Sequence, residues 1–151
     1  REGMADLKMV LEKTNDLKSK IDSVLRYSTY DKCDDLGDLE INYKDSEQLF
    51  LLEELQAIMR SLGEVRGRLT YLALPIREVS RLHRNESRRY ETESGHYYTS
   101  GSPIEALVDD GYRDVPYWVW TTLEHNGEDY FLVGYGSVDM DGLTVRVRGE
   151  V

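Results

Sequence analysis

Residues 45–76 read DSEQLFLLEELQAIMRSLGEVRGRLTYLALPI, and the rest of the chain is organised around how this stretch folds. Apolar side chains recur at Leu51, Leu55, Ile58, Leu62, Val65, Leu69, Leu72 and Ile76. The steps alternate four and three, which is the 3.5-residue repeat of a helix whose seam faces another helix. No proline falls between Ser46 and Leu74, and the glycines there are Gly63 and Gly67. The spacing predicts one helix of roughly 28 residues, about 42 Å long at 1.5 Å per residue. Such a helix cannot cover its own stripe, so the remaining sequence must supply partners. Pro75 ends it, because proline has no N–H to donate and crowds the preceding turn.

A second heptad pattern lies upstream, at Leu7, Val10, Thr14, Leu17, Ile21 and Val24, with Leu11 and Leu25 widening one flank. Lys8, Lys13, Lys18, Lys20, Glu12, Asp16 and Asp22 supply the solvated face. A helix of about 24 residues is expected here, paired with the later one as an antiparallel, coiled-coil-like hairpin over residues 4–75. Neither polar face is predominantly basic, so no membrane-surface role is expected. The connection, residues 29–44, is long for a hairpin. It carries Asp31, Asp34, Asp35, Asp38 and Glu40, interleaved with Tyr30, Leu36, Leu39, Ile41 and Tyr43. The apolar members predict that it packs down, and the missing EF-hand spacing argues against a metal loop.

Beyond Pro75 the period changes from 3.5 to 2, which sets a domain boundary near residues 74–78 and a β domain over 76–151. Residues 80–84 and 88–93 read as a hairpin around Asn85-Glu86-Ser87, with Leu82 and Tyr90 inward. Residues 96–99 form a short strand, and 104–108 a strand rather than a capped helical turn. Residues 117–124 and 128–134 flank His125-Asn126-Gly127, and Asn-Gly between such runs is a strong hairpin signal. Both of these strands are apolar on both faces, so cover on both sides is expected, with Trp118 and Trp120 buried. In the last strand Leu143, Val145 and Val147 point in, while Arg146 and Arg148 point out. The fold class expected is α+β.

The chain carries 29 acidic against 19 basic residues, a net charge of −10. That field repels phosphate and disfavours nonspecific binding to nucleic acid or anionic lipid. A local exception is Arg77, Arg81, Arg84, Arg88 and Arg89, to which Arg146 and Arg148 add two more. Small β domains bind single strands with such arginines and interleaved aromatics. Salt-bridged surface is the plainer reading. His83, His96 and His125 are scattered without metal-ligand spacing, and neither a phosphate loop nor a nucleophile elbow is present, so neither metal, cofactor nor enzymatic activity is expected. The lone Cys33 suits a reducing, cytoplasmic setting. Residues 1–3 read as a cloning remnant ahead of Met4, and neither a secretory signal nor a membrane span is expected.

The segments RLHRNES (81–87), RYE (89–91), YTSGSPIE (98–105), EHNGEDY (124–130) and GLTVRVR (142–148) carry a resemblance. Residues 77–149 resemble a family of uncharacterised small proteins from Gram-positive bacteria and their phage-like or conjugative elements, known as a domain of unknown function. The resemblance implies a small antiparallel β-barrel, SH3-like, in a mobile-element setting, and brings no catalytic residues. The family pattern implies glycine where this chain has Arg88.

The function expected is a non-enzymatic protein-interaction or assembly module. Its candidate surface comprises Leu11, Leu25, Leu52, Met59, Trp118 and Trp120. Leu52, Met59 and Ala73 form a second apolar row beside the main seam, and a two-fold dimer through the helices would cover it. The alternatives are a nucleic-acid accessory protein using the arginine patch, and an acidic inhibitor that mimics DNA.

Overall fold

The computed structural model describes residues 3–4, 6–28 and 36–149. It divides into two compact units, Arg1–Ala73 and Leu74–Val151.

The first unit is helical: α1 Leu7–Asn15, α2 Lys18–Leu25 and α3 Ser46–Ala73. The expected single upstream helix is thus bent into two. Its middle is Thr14-Asn15-Asp16, three poor helix formers in a row. There the Thr14 hydroxyl donates to the Val10 carbonyl at 2.7 Å, a back-bond that bends helices, and Leu17 N–H reaches only three residues back, to Thr14. By contrast α3 runs unbroken. Asp45 caps it, accepting from Glu47 N–H at 2.9 Å, and Gln48 reaches back to accept from Asn42 N–H at 2.8 Å. Pro75 stands just beyond its end.

Only part of the heptad seam of α3 is covered within the helical unit. Buried are Met59 of the flanking row and Leu69 of the seam, together with Ile21 and Leu25 from α2 and Leu36 from the connection, while Leu39, Leu52 and the seam residue Leu62 pack against them. The row at Leu52 and Met59, expected to be a free flank, is therefore part of the contact with α2. The rest of the seam is turned outward: Leu51, Leu55, Ile58, Val65 and Leu72 are each between 39% and 49% exposed. The physical reason is local. Bent at its middle, the first arm cannot follow a straight seam about 42 Å long, so α2 settles where Leu52 and Met59 of the flank and Leu62 of the seam pack beside it. An ion pair between Asp22 and Arg66 fixes that docking.

The second unit is an antiparallel sheet of β1 Ile76–Arg81, β4 Pro103–Val108, β5 Tyr117–His125, β6 Tyr130–Leu132 and β7 Thr144–Arg148, in the order β1-β7-β4-β5-β6. A small hairpin of β2 His83–Arg84 and β3 Tyr90–Glu91 accompanies it. Edges β1 and β6 do not pair with each other, so the expected barrel is not closed and the SH3-like label has no barrel to rest on. The strands that flank Asn126-Gly127 pair as expected, with His125 opposite Tyr130 and Leu123 opposite Leu132. One face of the sheet holds the core, including Leu82, Tyr90, Ile104, Val108, Leu123, Leu132 and Val145. No helix is long and apolar enough to cross a membrane among the described residues.

Candidate functional site

Two surfaces collect the residues singled out from sequence. The first is the outer face of the sheet. Strand register lays Val79, Arg146, Glu105 and Trp120 across one row of it. Glu105 is only 5% exposed, although it is ionisable and stands opposite the core. A carboxylate so buried needs partners. Arg146 donates to its Oε1 through Nε at 2.6 Å, and Arg148 donates to its Oε2 through Nε at 2.8 Å and to Oε1 through Nη2 at 3.1 Å. Arg148 also donates to the Leu74 carbonyl at 3.1 Å. The Arg146 guanidinium lies over the Trp118 ring, 4.2 Å from its centre. Planar guanidinium suits both the carboxylate and the aromatic face.

Arg146 and Arg148 thus lie on the outer face, as alternation predicts, and are engaged there with Glu105. Trp118 is half-buried beneath Arg146. Trp120 is 40% exposed, so the expected burial of this ring does not hold. The triad itself was not legible from sequence. Its one signal is an acid alone between Ile104 and Ala106, and pairing it with β7 requires the strand order.

The rest of the arginine group gathers around β1 and the β2–β3 hairpin. Arg84 pairs with Asp129 at 3.5 Å and lies over the Tyr90 ring, while Arg89 lies over Tyr97. Arg77, Arg81, Arg88 and Arg89 are exposed. Arg88 sits in the hairpin turn at φ +60°, a left-handed conformation that favours glycine. Asn85 stabilises this turn by accepting from Ser87 and Arg89 N–H at 2.9 and 3.0 Å. His83 bonds Glu91 at 2.9 Å. Asn85 and His83 hold the Glu91 carboxyl below the usual range. The hairpin is thus a mixed-charge surface rather than a uniformly basic one.

The three histidines occupy separate places: His83 on Glu91, His96 edge-on to Tyr98, and His125 accepting from Gly127 N–H. Among the described residues, no group of His, Cys, Asp or Glu is arranged to hold a metal. Asp31, Asp34 and Asp35 of the acidic connection lie outside the described residues, as does Cys33.

The second surface is helical. Of the residues expected to form it, Leu25 and Met59 are core and Leu52 packs against that core. Leu11 is exposed, and it belongs with Leu7, Val10, Val65, Leu69 and Leu72 to an apolar groove of about 340 Å³ between α1 and α3. The seam residues Val65, Leu69 and Leu72 face the upstream heptad residues Leu7, Val10 and Thr14 across this groove, whereas Leu51, Leu55 and Ile58 are exposed.

Residues 79–147 match a family described as a domain of unknown function (DUF5348), so such a domain is found from within β1 to within β7. No curated protein and no solved structure matches the chain.

Proposed function

We propose that this chain is a non-enzymatic protein-interaction module that docks partners through its helical unit. One observation carries the reading: an apolar row along the α3 seam, Leu51, Leu55, Ile58, Val65 and Leu72, each between 39% and 49% exposed. Isolated apolar residues on a surface are ordinary, but a row of them along one helix marks a binding face. Less supports the nucleic-acid alternative, since Arg146 and Arg148 are engaged with Glu105 and Arg84 with Asp129. A mobile-element setting rests on the resemblance of residues 77–149 alone.

The test is capture of proteins from a bacterial host lysate on the immobilised chain, wild type against Leu55→Glu/Ile58→Glu. Both side chains are half-exposed, so the variant keeps its far-ultraviolet spectrum. Bound protein that disappears with the variant supports the reading. Capture that is the same for both, or absent for both together with no self-association, overturns it.

A further inference from the structure

We propose that the partner of the α3 seam is a second copy of this chain, docked antiparallel across a two-fold axis close to Ser61. The proposal rests on the reading of the helical unit as an interaction surface, and it names the occupant.

The first ground is spacing. Leu51 and Leu72 lie nearly equal distances either side of Ser61, and so do Ile58 and Val65. All four project outward on one stripe. A reversed second helix therefore sets Leu51 against Leu72 and Ile58 against Val65, apolar against apolar along the whole contact. Ser61 is exposed and small, and so suits a close approach at the centre.

The second ground is charge. Glu54 and Arg68 stand seven residues before and after Ser61, on the same flank of the seam. The N-terminal half of α3 carries Glu47, Glu53 and Glu54, and the C-terminal half Arg60, Arg66 and Arg68 against the single acid Glu64. Antiparallel docking brings Glu54 of each copy beside Arg68 of the other. Parallel docking brings acid to acid and base to base, which costs affinity. The face is thus self-complementary in one orientation only, as a two-fold interface requires.

The third ground is the groove. It lies along the C-terminal half of α3, between α1 and the stretch from Val65 to Leu72. Reversal carries Leu51 and Leu55 of the second copy to that half, where their exposed side chains fill the space beside Leu7, Val10 and Leu11. Leu7 is 91% exposed in the single chain, an odd place for a leucine unless something covers it. The area is also adequate. A helix face about 42 Å by 10 Å from each copy encloses roughly 800 Å² before α1 is counted, near the ~1,000 Å² of a specific interface.

Sedimentation equilibrium of the whole chain, from about 1 to 100 µM, should give twice the 17.5 kDa chain mass. Ile58→Glu should raise the dissociation constant on the order of 100-fold, because the substitution enters the interface twice. Glu54→Arg and Arg68→Glu should each weaken association about tenfold, and the double variant should restore it. A dimer that survives Ile58→Glu, or charge reversals that fail to rescue each other, overturns the two-fold arrangement. A monomer at 100 µM overturns the second copy as occupant. If that monomer still captures a host protein in a seam-dependent way, the interaction reading stands without this proposal. If it captures none, both fall.

Discussion

The two units solve the problem of covering apolar surface in opposite ways. Among the described residues, the sheet unit buries twelve core residues and the helical unit five. The difference is large enough that the sheet unit encloses its own core, whereas α1 buries nothing and α3 leaves Leu51, Leu55 and Ile58 of its seam exposed. A sheet gains its second neighbour from the next strand, so each of β4, β5 and β7 is flanked on both sides. A straight helix paired with a bent one gains a neighbour along only part of its length. The contrast is why the proposed partner surface is placed on the helical unit rather than on the sheet unit.

Two probes separate the units. Both tryptophans, Trp118 and Trp120, lie in the sheet unit, so their fluorescence follows it, while the far-ultraviolet helix signal follows α3. The largest effect is expected from Glu105→Ala. It leaves Arg146 and Arg148 partly buried without their shared carboxylate, and breaking such a group costs about 3–5 kcal/mol. Tryptophan-detected unfolding should move to much lower urea, with the helix signal at 222 nm retained. If both signals collapse together, the units are not independent and the comparison fails.

Next in size is Trp120→Ala. A ring 40% exposed forfeits only part of the roughly 1.5–3 kcal/mol that full burial provides, so a loss of about 1–2 kcal/mol is expected. A loss of about 3–5 kcal/mol, the range for a fully buried tryptophan, would mean that the outer face is covered in solution.

These two residues also mark where the sequence could be read and where it could not. Alternation placed Leu82, Tyr90, Leu143, Val145 and Val147 inward, and each is buried. Alternation reports which residues share a face, but not what lies above that face. Burial of Trp120 therefore does not follow from it, and the ring is 40% exposed. The 3.5-residue repeat likewise located α3 to within a residue or two of Ser46–Ala73. Periodicity fixes where a stripe runs without naming its partner, and the bend at Thr14-Asn15-Asp16 decided that α2 would pack on Leu52 and Met59 of the flank as well as on Leu62 of the seam. Glu105 was invisible for a different reason: its partners lie about forty residues away in sequence, on a neighbour that only the sheet order reveals.

A smaller effect, opposite in sign, is expected from Arg88→Gly. At φ +60° a side chain with Cβ crowds the backbone, a cost of about 1–2 kcal/mol that glycine avoids. Glycine also loses more freedom on folding, so the net gain should be about 0.5–1 kcal/mol. The tryptophan-detected midpoint should rise while the helix-detected one stays in place. A destabilised variant would show that the Arg88 side chain contributes more to the hairpin than its backbone costs.

The smallest effect concerns acid. Burial of Glu78 works to raise its carboxyl, but hydrogen bonds donated by the Ser94 hydroxyl at 2.7 Å, the Thr92 hydroxyl at 3.0 Å and Ser94 N–H at 3.2 Å outweigh it. The net result is a carboxyl lowered from its ordinary value of 4.5. A carboxylate harder to protonate when folded stabilises the fold above its unfolded value, and that contribution disappears as pH falls through the folded one. Wild type should therefore lose stability below about pH 4.5 more steeply than Glu78→Gln, which carries no such proton. At pH 7 the variant should be weaker by only about 0.5–1 kcal/mol, one net hydrogen-bond contribution. The two proteins should converge once the pH has fallen through the folded value, in the tryptophan signal alone. These bonds pin the turn at residues 92–96 against edge strand β1 of the sheet unit, so a matching change in the helix signal would show that acid acts on the helical unit through this edge.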